Sequence, residues 1–274
     1  MYERRYVNKR IRRAAVAAGA GVSAIGITIF AIIAFMGDFV GTFTVSLDTA
    51  NVGMALSDSS SFKWQDSFLH IDELPKFSET TYHDLPSDDV LDTEDSDFLT
   101  GANYIDGEIT NLSYFKYTFF LKNVGDIDSA YRLQIKILEN VPTKEQNPRY
   151  LDDTIRIMLY ENDEFSEEHK KTVYAKRRLN AYERDGQEAI WNSPISVREN
   201  QVSPYLEFQG YAEIFESEDV VCTITNVDFI KGAVKRYTVV MWIEGNDESS
   251  SHLLPPPEGA KLKIGVNINA YENQ

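Results

Sequence analysis

The sequence predicts a mainly β protein: an antiparallel two-sheet sandwich, jelly-roll-like, behind one N-terminal transmembrane helix. Three observations predict this fold. A long uncharged run lies near the N-terminus, short segments of alternating apolar and polar residues fill much of the remainder, and turn residues separate those segments. Alternation with a period of two is typical of a half-buried strand, and many such strands with turns between them are typical of a sandwich.

The N-terminus predicts a membrane anchor. Residues 1–13 are basic, and residues 14–37 are free of charge until Asp38. At about 1.5 Å per residue, such a helix crosses the roughly 30 Å hydrocarbon core of a bilayer. The positive flank places residues 1–13 in the cytoplasm and the rest outside the cell membrane. A cleavable signal peptide is the competing interpretation, but its apolar region is usually about 7–15 residues and ends at an A-x-A-like site. This run ends in "IIAFMGDFVGTF", which favours an uncleaved signal-anchor.

Small residues recur at four-residue spacing within the predicted helix. Ala15, Gly19 and Ser23 form one such series, and Ala17 and Gly21 form another. Small residues at this spacing let two membrane helices approach closely. Because Ala and Gly are common in membrane helices, the pattern is also explained without any helix partner.

Residues 41–274 are predicted to form the extracellular sandwich. "GTFTVSL" places Phe43, Val45 and Leu47 on one face of a first strand. "YFKYTFFLKNVGDIDSAYRLQIKI" contains two alternating strands, joined by a loop longer than a tight turn. The two strands therefore either pair directly or cross from one sheet to the other.

Further strands are predicted along the rest of the chain. One stretch, "KRYTVVMWIEG", is apolar on both faces, as for a central strand. Within "SEEHKKTVYAKRRLNAYERDG", either a short helix or a strand at "KTVYAKR" fits the pattern. The remaining predicted strands are "TIRIMLYE", "VVCTITNV" and "AKLKIGVNINAY". Two polar ranges, 58–110 and 185–218, are predicted to be long loop insertions.

Charge and cysteine usage restrict the function. The formal net charge is −16, and because residues 1–13 are basic the remainder carries −21. Such an acidic domain argues against nucleic-acid binding, because phosphates would be repelled, and is typical of a soluble exposed domain. Cys222 is the single cysteine, so an internal disulfide is excluded. Its β-branched neighbours indicate a small buried hydrophobic residue.

One acidic run is a candidate Ca²⁺ site. Ca²⁺ takes six to eight hard oxygen ligands, which closely spaced carboxylates can supply. A solvated loop explains the same composition, since the E-F-hand spacing is not met. The candidate ligands are Asp88, Asp89, Asp92, Glu94, Asp95 and Asp97.

Catalytic motifs are missing from the sequence. His70, His83, His169 and His252 are scattered, and none begins an H-E-x-x-H motif. Neither a G-x-S-x-G nucleophile elbow nor a P-loop occurs. The sequence therefore predicts a protein that is not an enzyme and has no catalytic residues.

Three stretches resemble the TasA/camelysin family of Gram-positive exported proteins, which are matrix-fibre subunits and relatives processed by a dedicated signal peptidase. "NVGMALSD" looks like the family's short Ala-Gly-Thr-Leu-Asp-Leu strand, and "FFLKNVGDIDSAYRLQI" looks like its strand ending in Asn-x-Gly. "GAKLKIGVNINAYENQ" looks like its closing strand. The resemblance implies a jelly-roll-like sandwich and assembly by donor-strand exchange.

These observations predict a membrane-anchored, extracellular protein for cell-surface or biofilm-matrix assembly, contacting the bilayer through residues 14–37. The candidate assembly strand carries Phe43, Val45 and Leu47, and it either enters a neighbouring subunit or completes its own sheet. One alternative is a camelysin-type surface metalloprotease. Another is a tethered binding module of a larger cell-envelope complex.

Overall fold

A computed structural model describes residues 41–49, 52–74, 105–110, 114–163, 170–176, 212–244 and 259–272. Their regular structure is almost entirely β. The elements are β1 Gly41–Asp48, β2 Met54–Ser57, β3 Phe68–Leu74, β4 Gly107–Thr110, β5 Tyr114–Asn123, β6 Ser129–Val141, a 3-10 turn Leu151–Asp153, β7 Ile155–Asp163, β8 Lys170–Ala175, β9 Glu213–Ile214, β10 Val220–Phe229, β11 Val234–Ile243 and β12 Lys261–Glu272.

The predicted anchor lies outside the described residues. This applies to residues 1–13 and 14–37, and so to Gly19, Gly21 and Ser23. Among the residues that the structure describes, none forms a helix with the length and apolar content that a bilayer crossing requires.

The strands form two open sheets. The five-stranded sheet has the order β10-β6-β12-β1-β3. The seven-stranded sheet has the order β2-β5-β11-β7-β8-β9, and β4 also pairs with β5. β2 pairs with residues 120–123 of β5 and β4 with residues 115–118, so these two short strands follow one another along the same edge.

Both sheets are mixed, which corrects the prediction of purely antiparallel pairing. β1 runs parallel to β12 over eight residue pairs, from Gly41–Leu262 to Asp48–Asn269. β8 runs parallel to β9 through Tyr174 and Ala175. Alternation of apolar and polar residues is the same in parallel and antiparallel strands of a half-buried sheet, so the sequence pattern does not distinguish the two.

The main hydrophobic core lies between the two sheets. The ring of Phe43 in β1 lies 5.2 Å from Phe115 and 5.5 Å from Tyr117, both in β5. Tyr131 of β6 and Tyr237 of β11 are hydrogen-bonded through their hydroxyl groups. Full burial of a large apolar side chain contributes about 1.5–3 kcal/mol, so this shared core holds the sheets face to face.

The second face of the seven-stranded sheet is also buried. Its apolar residues form a separate cluster that includes Tyr114, Tyr160, Val240 and Trp242. β11 therefore buries both faces, which confirms the prediction of a central strand from "KRYTVVMWIEG". On the same face, the hydroxyl groups of Thr118 and Thr238 are 2.7 Å apart.

Several open alternatives are resolved by the topology. β5 and β6 belong to different sheets, so the loop after Asn123 crosses between them. "KTVYAKR" contains the strand β8. The range 58–110, predicted to be a loop, contains β3 and β4, and the range 185–218 contains β9. β3 has the sequence "FLHIDEL", whose three charged or ionisable residues hide its strand pattern.

Candidate assembly strand and the adjoining polar sites

β1 is an inner strand of the five-stranded sheet. It lies between β12, to which it is parallel, and β3, to which it is antiparallel. On the outer face, the Ser46 hydroxyl donates a hydrogen bond to Asn267 Oδ1 at 3.0 Å. A strand paired on both sides satisfies its backbone N–H and C=O groups on both edges, so β1 completes the ladder between β12 and β3.

The inner face of β1 carries the three predicted assembly residues. The structure brings Phe43, Val45 and Leu47 together in the core between the sheets, where they are 1%, 0% and 8% exposed. Removing β1 would therefore open an apolar groove as well as two unpaired strand edges. The same three side chains would fill an equivalent groove in a second copy of the chain.

Gly41 lies where β1 passes close to β12. A Cβ atom at this position would overlap the carbonyl oxygen of Leu262 and lie 3.5 Å from Leu74 Cδ1. The backbones of β1 and β12 approach each other closely here because glycine has no side chain. A larger residue at position 41 would therefore push the two strands apart.

A tight connection links β1 to the other sheet. The Val52 N–H donates to the Thr49 carbonyl at 2.7 Å, and the Met54 N–H donates to the Val52 carbonyl at 3.0 Å. β2 follows at once and pairs with β5. Any exchange of β1 between copies therefore requires this connection to open while β2 stays in place.

β10 is an edge strand that is poorly suited to further pairing. Its register with β6 shifts between Val220 and Cys222 and again between Asn226 and Phe229. Such irregularities twist an edge and disfavour the addition of another strand. The edge of β12 that β1 occupies has a regular register over all eight pairs, whereas the pairing of β1 with β3 shifts between Gly41 and Phe43.

Cys222 is buried, as the sequence predicts. It is 3% exposed and packs into the main core. Burial raises the pKa of its thiol to about 12, although hydrogen bonds from Tyr174 and Ile135 act in the opposite direction. A thiol with this pKa stays protonated at neutral pH and is a poor nucleophile.

A polar cavity of about 440 Å³ lies where the end of β6, the 3-10 turn and the turn before β10 meet. Asp152, in the 3-10 turn, is buried to 1% exposure, and its Oδ2 lies 2.7 Å from Lys176 Nζ. Its Oδ1 atom is buried without a hydrogen-bond partner. Asn140 Oδ1, which also belongs to the lining, is likewise buried without a partner. We refer to this region as the Asp152 cavity.

The ammonium group of Lys176 connects two carboxylates beside this cavity. Its Nζ lies 3.0 Å from Asp153 Oδ1, in addition to the contact with Asp152, and 5.7 Å from the ring centre of Tyr150. Burial alone would lower the pKa of Lys176, but the hydrogen bonds and charges of Asp152 and Asp153 raise it. Lys176 is therefore protonated at neutral pH. The sequence pattern does not predict this group, and its one signal is the acidic pair "DD" between the apolar residues Leu151 and Ile155.

A second polar site, here called the Asn123 corner, occurs where the chain passes from β5 to β6. The Asn123 Nδ2 atom lies 3.0 Å from the Ile127 carbonyl, 3.0 Å from Ser129 Oγ and 2.9 Å from the Phe229 carbonyl. Its Oδ1 accepts a hydrogen bond from the Gly125 N–H at 3.0 Å. The Asn-x-Gly stretch of the resemblance is therefore a structural corner in this chain.

The predicted Ca²⁺ ligands lie outside the described residues, as do His83, His169 and His252. They are Asp88, Asp89, Asp92, Glu94, Asp95 and Asp97. His70 lies in β3 with its ring 5.8 Å from Phe68. Within the described parts of the chain, no three residues among His, Cys, Asp and Glu come together as a metal site would require.

Comparison of the chain with protein-family models, with curated proteins and with solved structures finds no match. The two-sheet fold, β1 and the two polar sites are therefore the features of the described residues that bear on function.

Proposed function

We propose that this chain is a non-enzymatic, membrane-anchored extracellular protein that builds cell-surface or matrix assemblies by exchanging β1 between subunits. In this proposal residues 14–37 are the anchor, the two sheets form a jelly-roll-like sandwich, and the chain is a relative of the TasA/camelysin group. The resemblance described above supports that relationship. The position of β1 is the single observation that carries the assembly role.

A subunit without β1 would lack both pairing partners and core side chains. β12 and β3 would each present an unpaired edge, and the core facing β5 would lose Phe43, Val45 and Leu47. An extended segment that adds to such an edge gains affinity from main-chain hydrogen bonds and specificity from alternate side chains. The β1 of a second copy provides both in the same register.

The equilibrium between the two arrangements depends on the connection after β1. Both arrangements form the same strand pairs, so their difference in free energy comes from the connection between Thr49 and Gly53 and from the concentration of neighbouring subunits. Attachment to a membrane would raise that local concentration.

A disulfide between β1 and β12 distinguishes the two arrangements. Ser46 and Asn267 are register partners with hydrogen-bonded side chains on the outer face. The variant Ser46→Cys with Asn267→Cys should oxidise readily, because adjacent strands place the two residues at disulfide distance. The full chain would be oxidised in its native membrane and separated by size under denaturing, non-reducing conditions.

Strand exchange predicts a ladder of covalent multimers, because each disulfide then joins two chains. A matched control is Gln134→Cys with Asn267→Cys, whose positions pair between β6 and β12 within one body and should give only monomers. Oxidised monomers from both variants would show that β1 stays in its own subunit, and the proposal would then be wrong.

A tethered binding module is a second candidate function. The observation that favours it is the Asp152 cavity, because its buried acceptor atoms are unpaired. Pull-down from a detergent extract with the full chain tests for a stable heteromeric partner. A partner lost on substitution in the cavity lining would favour this candidate over strand exchange.

A further inference from the structure

We propose that the Asp152 cavity binds a small organic cation, specifically an alkyl ammonium compound. This inference is independent of the assembly role, since the cavity involves neither β1 nor β12. It depends on three properties of the described lining residues: unpaired acceptors, excess negative charge and an aromatic face.

The first property is a surplus of hydrogen-bond acceptors. Asp152 Oδ1 and Asn140 Oδ1 are both buried, and neither has a hydrogen-bond partner. A buried acceptor that remains unpaired destabilises a protein by about 1–3 kcal/mol, so such atoms are usually paired in the functional state. Both atoms are closed to solvent, so a ligand that supplies N–H groups would satisfy them once the two side chains turn toward the cavity.

The second property is the sign of the charge. The described lining has one ammonium group, that of Lys176, and four carboxylates. The carboxylates are those of Glu139, Asp152, Glu218 and Asp219. Lys176 is itself engaged by Asp152 and Asp153. A cavity with this excess attracts cations and repels anionic ligands.

The third property is the ring of Tyr150. Lys176 Nζ lies 5.7 Å from its ring centre, a distance at which an ammonium group is attracted to the face of an aromatic ring. The cavity thus already accommodates one alkyl ammonium group of the protein. A ligand of the same chemistry would use the acceptors that Lys176 leaves unpaired.

A free alkyl diamine fits these properties better than a metal ion. Two unpaired oxygen atoms fall short of the six to eight ligands that Ca²⁺ takes. A cavity of about 440 Å³ also has room for an alkyl chain as well as its ammonium group. The proposed ligand is therefore an organic cation with at least one primary ammonium group.

Isothermal titration calorimetry on the full chain in detergent tests this proposal. The probes are 1,5-diaminopentane, the neutral analogue 1,5-pentanediol, and CaCl₂. We expect saturable binding of the diamine alone. Asp152→Asn should weaken it at least tenfold, because the substitution keeps the shape of the side chain and removes its charge.

The matched control is Asp126→Asn, which removes one fully exposed carboxylate paired with Lys231 elsewhere on the surface. Its affinity for the diamine should stay within twofold of the unmodified chain. Equal losses in Asp152→Asn and Asp126→Asn would show attraction by the overall negative charge, and the proposal would fail. Saturable binding of the diol would overturn it too, in favour of a polyol site, and so would Ca²⁺ binding that is lost in Asp152→Asn, in favour of a metal site in the cavity.

A second variant covers the case in which Asp152→Asn does not fold. Glu139 and Glu218 are exposed parts of the lining, so Glu139→Gln with Glu218→Gln should leave the core intact. We expect it to weaken diamine binding about fivefold. The corresponding exposed pair, Asp126→Asn with Glu272→Gln, should change it less than twofold. Equal effects of the two pairs would contradict a site in the cavity.

Discussion

The Asn123 corner and the Asp152 cavity are two buried polar sites with opposite hydrogen-bonding states. At the corner, Asn123 is 1% exposed and both ends of its amide are hydrogen-bonded. In the cavity, Asp152 is equally buried, but only one of its carboxylate oxygen atoms has a partner. Both residues are polar, buried and located where strands end.

The difference indicates what each site does. A buried amide with all its partners inside the chain fixes the path of the backbone, here by joining the β5–β6 crossing to the end of β10. A buried acceptor left unpaired, in contrast, lowers the stability of the fold until a donor reaches it. A site whose partners all lie inside the chain and a site with one unpaired carboxylate oxygen should therefore respond differently to substitution.

The largest effect is expected at the corner. Asn123→Leu removes the amide and leaves the Phe229 carbonyl and the Gly125 N–H without their side-chain partner. We expect the free energy of unfolding to fall by about 3–4 kcal/mol, as for other broken buried networks. Urea denaturation of the full chain in detergent measures it. The same substitution at the exposed Asn269 is the control, with a change under about 0.5 kcal/mol. Similar losses at both positions would contradict a structural role for the corner.

A smaller loss is expected beside the cavity. Lys176→Met removes the ammonium group and leaves the buried carboxylate of Asp152 uncompensated, which should destabilise the chain by about 2–3 kcal/mol. Adding Asp152→Asn removes the buried charge, so the double variant should regain at least about 1 kcal/mol. Thermal denaturation of the single and double variants measures the interaction free energy between Lys176 and Asp152. Purely additive losses would show that Lys176 and Asp152 do not interact in the folded chain.

The backbone at the corner provides a third test. A Cβ atom on Gly53 would lie 2.5 Å from the Cα of Gly125 and 2.7 Å from its nitrogen. The N–H groups of Val124 and Gly125 both donate to the Gly53 carbonyl at 2.8 Å. The segments around Gly53 and Gly125 therefore cannot move apart without losing these hydrogen bonds. We expect Gly53→Ala to cost about 2 kcal/mol.

Gly232→Ala is the matched control for that variant. Gly232 has a φ of +80° and no atom within 4 Å of an added Cβ, so only backbone strain of about 1 kcal/mol is expected. Urea denaturation of the two variants distinguishes the stability lost to a steric clash, at Gly53, from the stability lost to backbone strain, at Gly232. A smaller loss at Gly53 than at Gly232 would mean that the corner accommodates a side chain.

The last test concerns a third buried polar group, Lys116 in β5. Its Nζ donates to the carbonyls of Ile105 and Gly107, which holds β4 beside β5. Burial lowers the pKa of Lys116 to about 7, with Asp106 opposing this shift and Arg236 adding to it. The unfolded chain keeps its proton up to a pKa near 10.5 and so binds more protons than the folded chain above pH 7.

Stability should therefore rise as the pH increases from about 7 to 9, by at most about 1.4 kcal/mol per pH unit. Below pH 7 Lys116 is protonated in both states and contributes no slope. Urea denaturation at pH 6, 7, 8 and 9 measures the trend, and Lys116→Met should flatten it. An unchanged slope in that variant would assign the pH dependence to other groups.

Much of the fold could be predicted because alternation is a local property. β5 and β12 each show it within ten or so residues, β11 shows the apolar run of a central strand, and all three are strands. The parallel partnership of β1 and β12 could not be predicted, because pairing between strands at opposite ends of the chain leaves no local pattern. β4, "GEIT", was missed because four residues are too few for alternation to be evident.

The candidate sites were less predictable than the strands. Phe43, Val45 and Leu47 were identified because one strand carries all three. Lys176 and Asp152 meet only through the folding of β7 and β8, and nothing near either residue indicates the other. Asn123 was noticed through a resemblance, but its role depends on Phe229, which is distant in sequence.

The parallel ladder between β1 and β12 also has a mechanical consequence. Gly41 lies at one end of the ladder and Glu272 lies past its other end, because the two strands run in the same direction. Tension applied between these two points would load the hydrogen bonds of the ladder together, in shear, instead of breaking them one after another. Forced unfolding is governed by the height of the unfolding barrier, and loading in shear keeps that barrier high. The arrangement suits a domain that must transmit a pulling force, whether β1 belongs to the same subunit or to its neighbour.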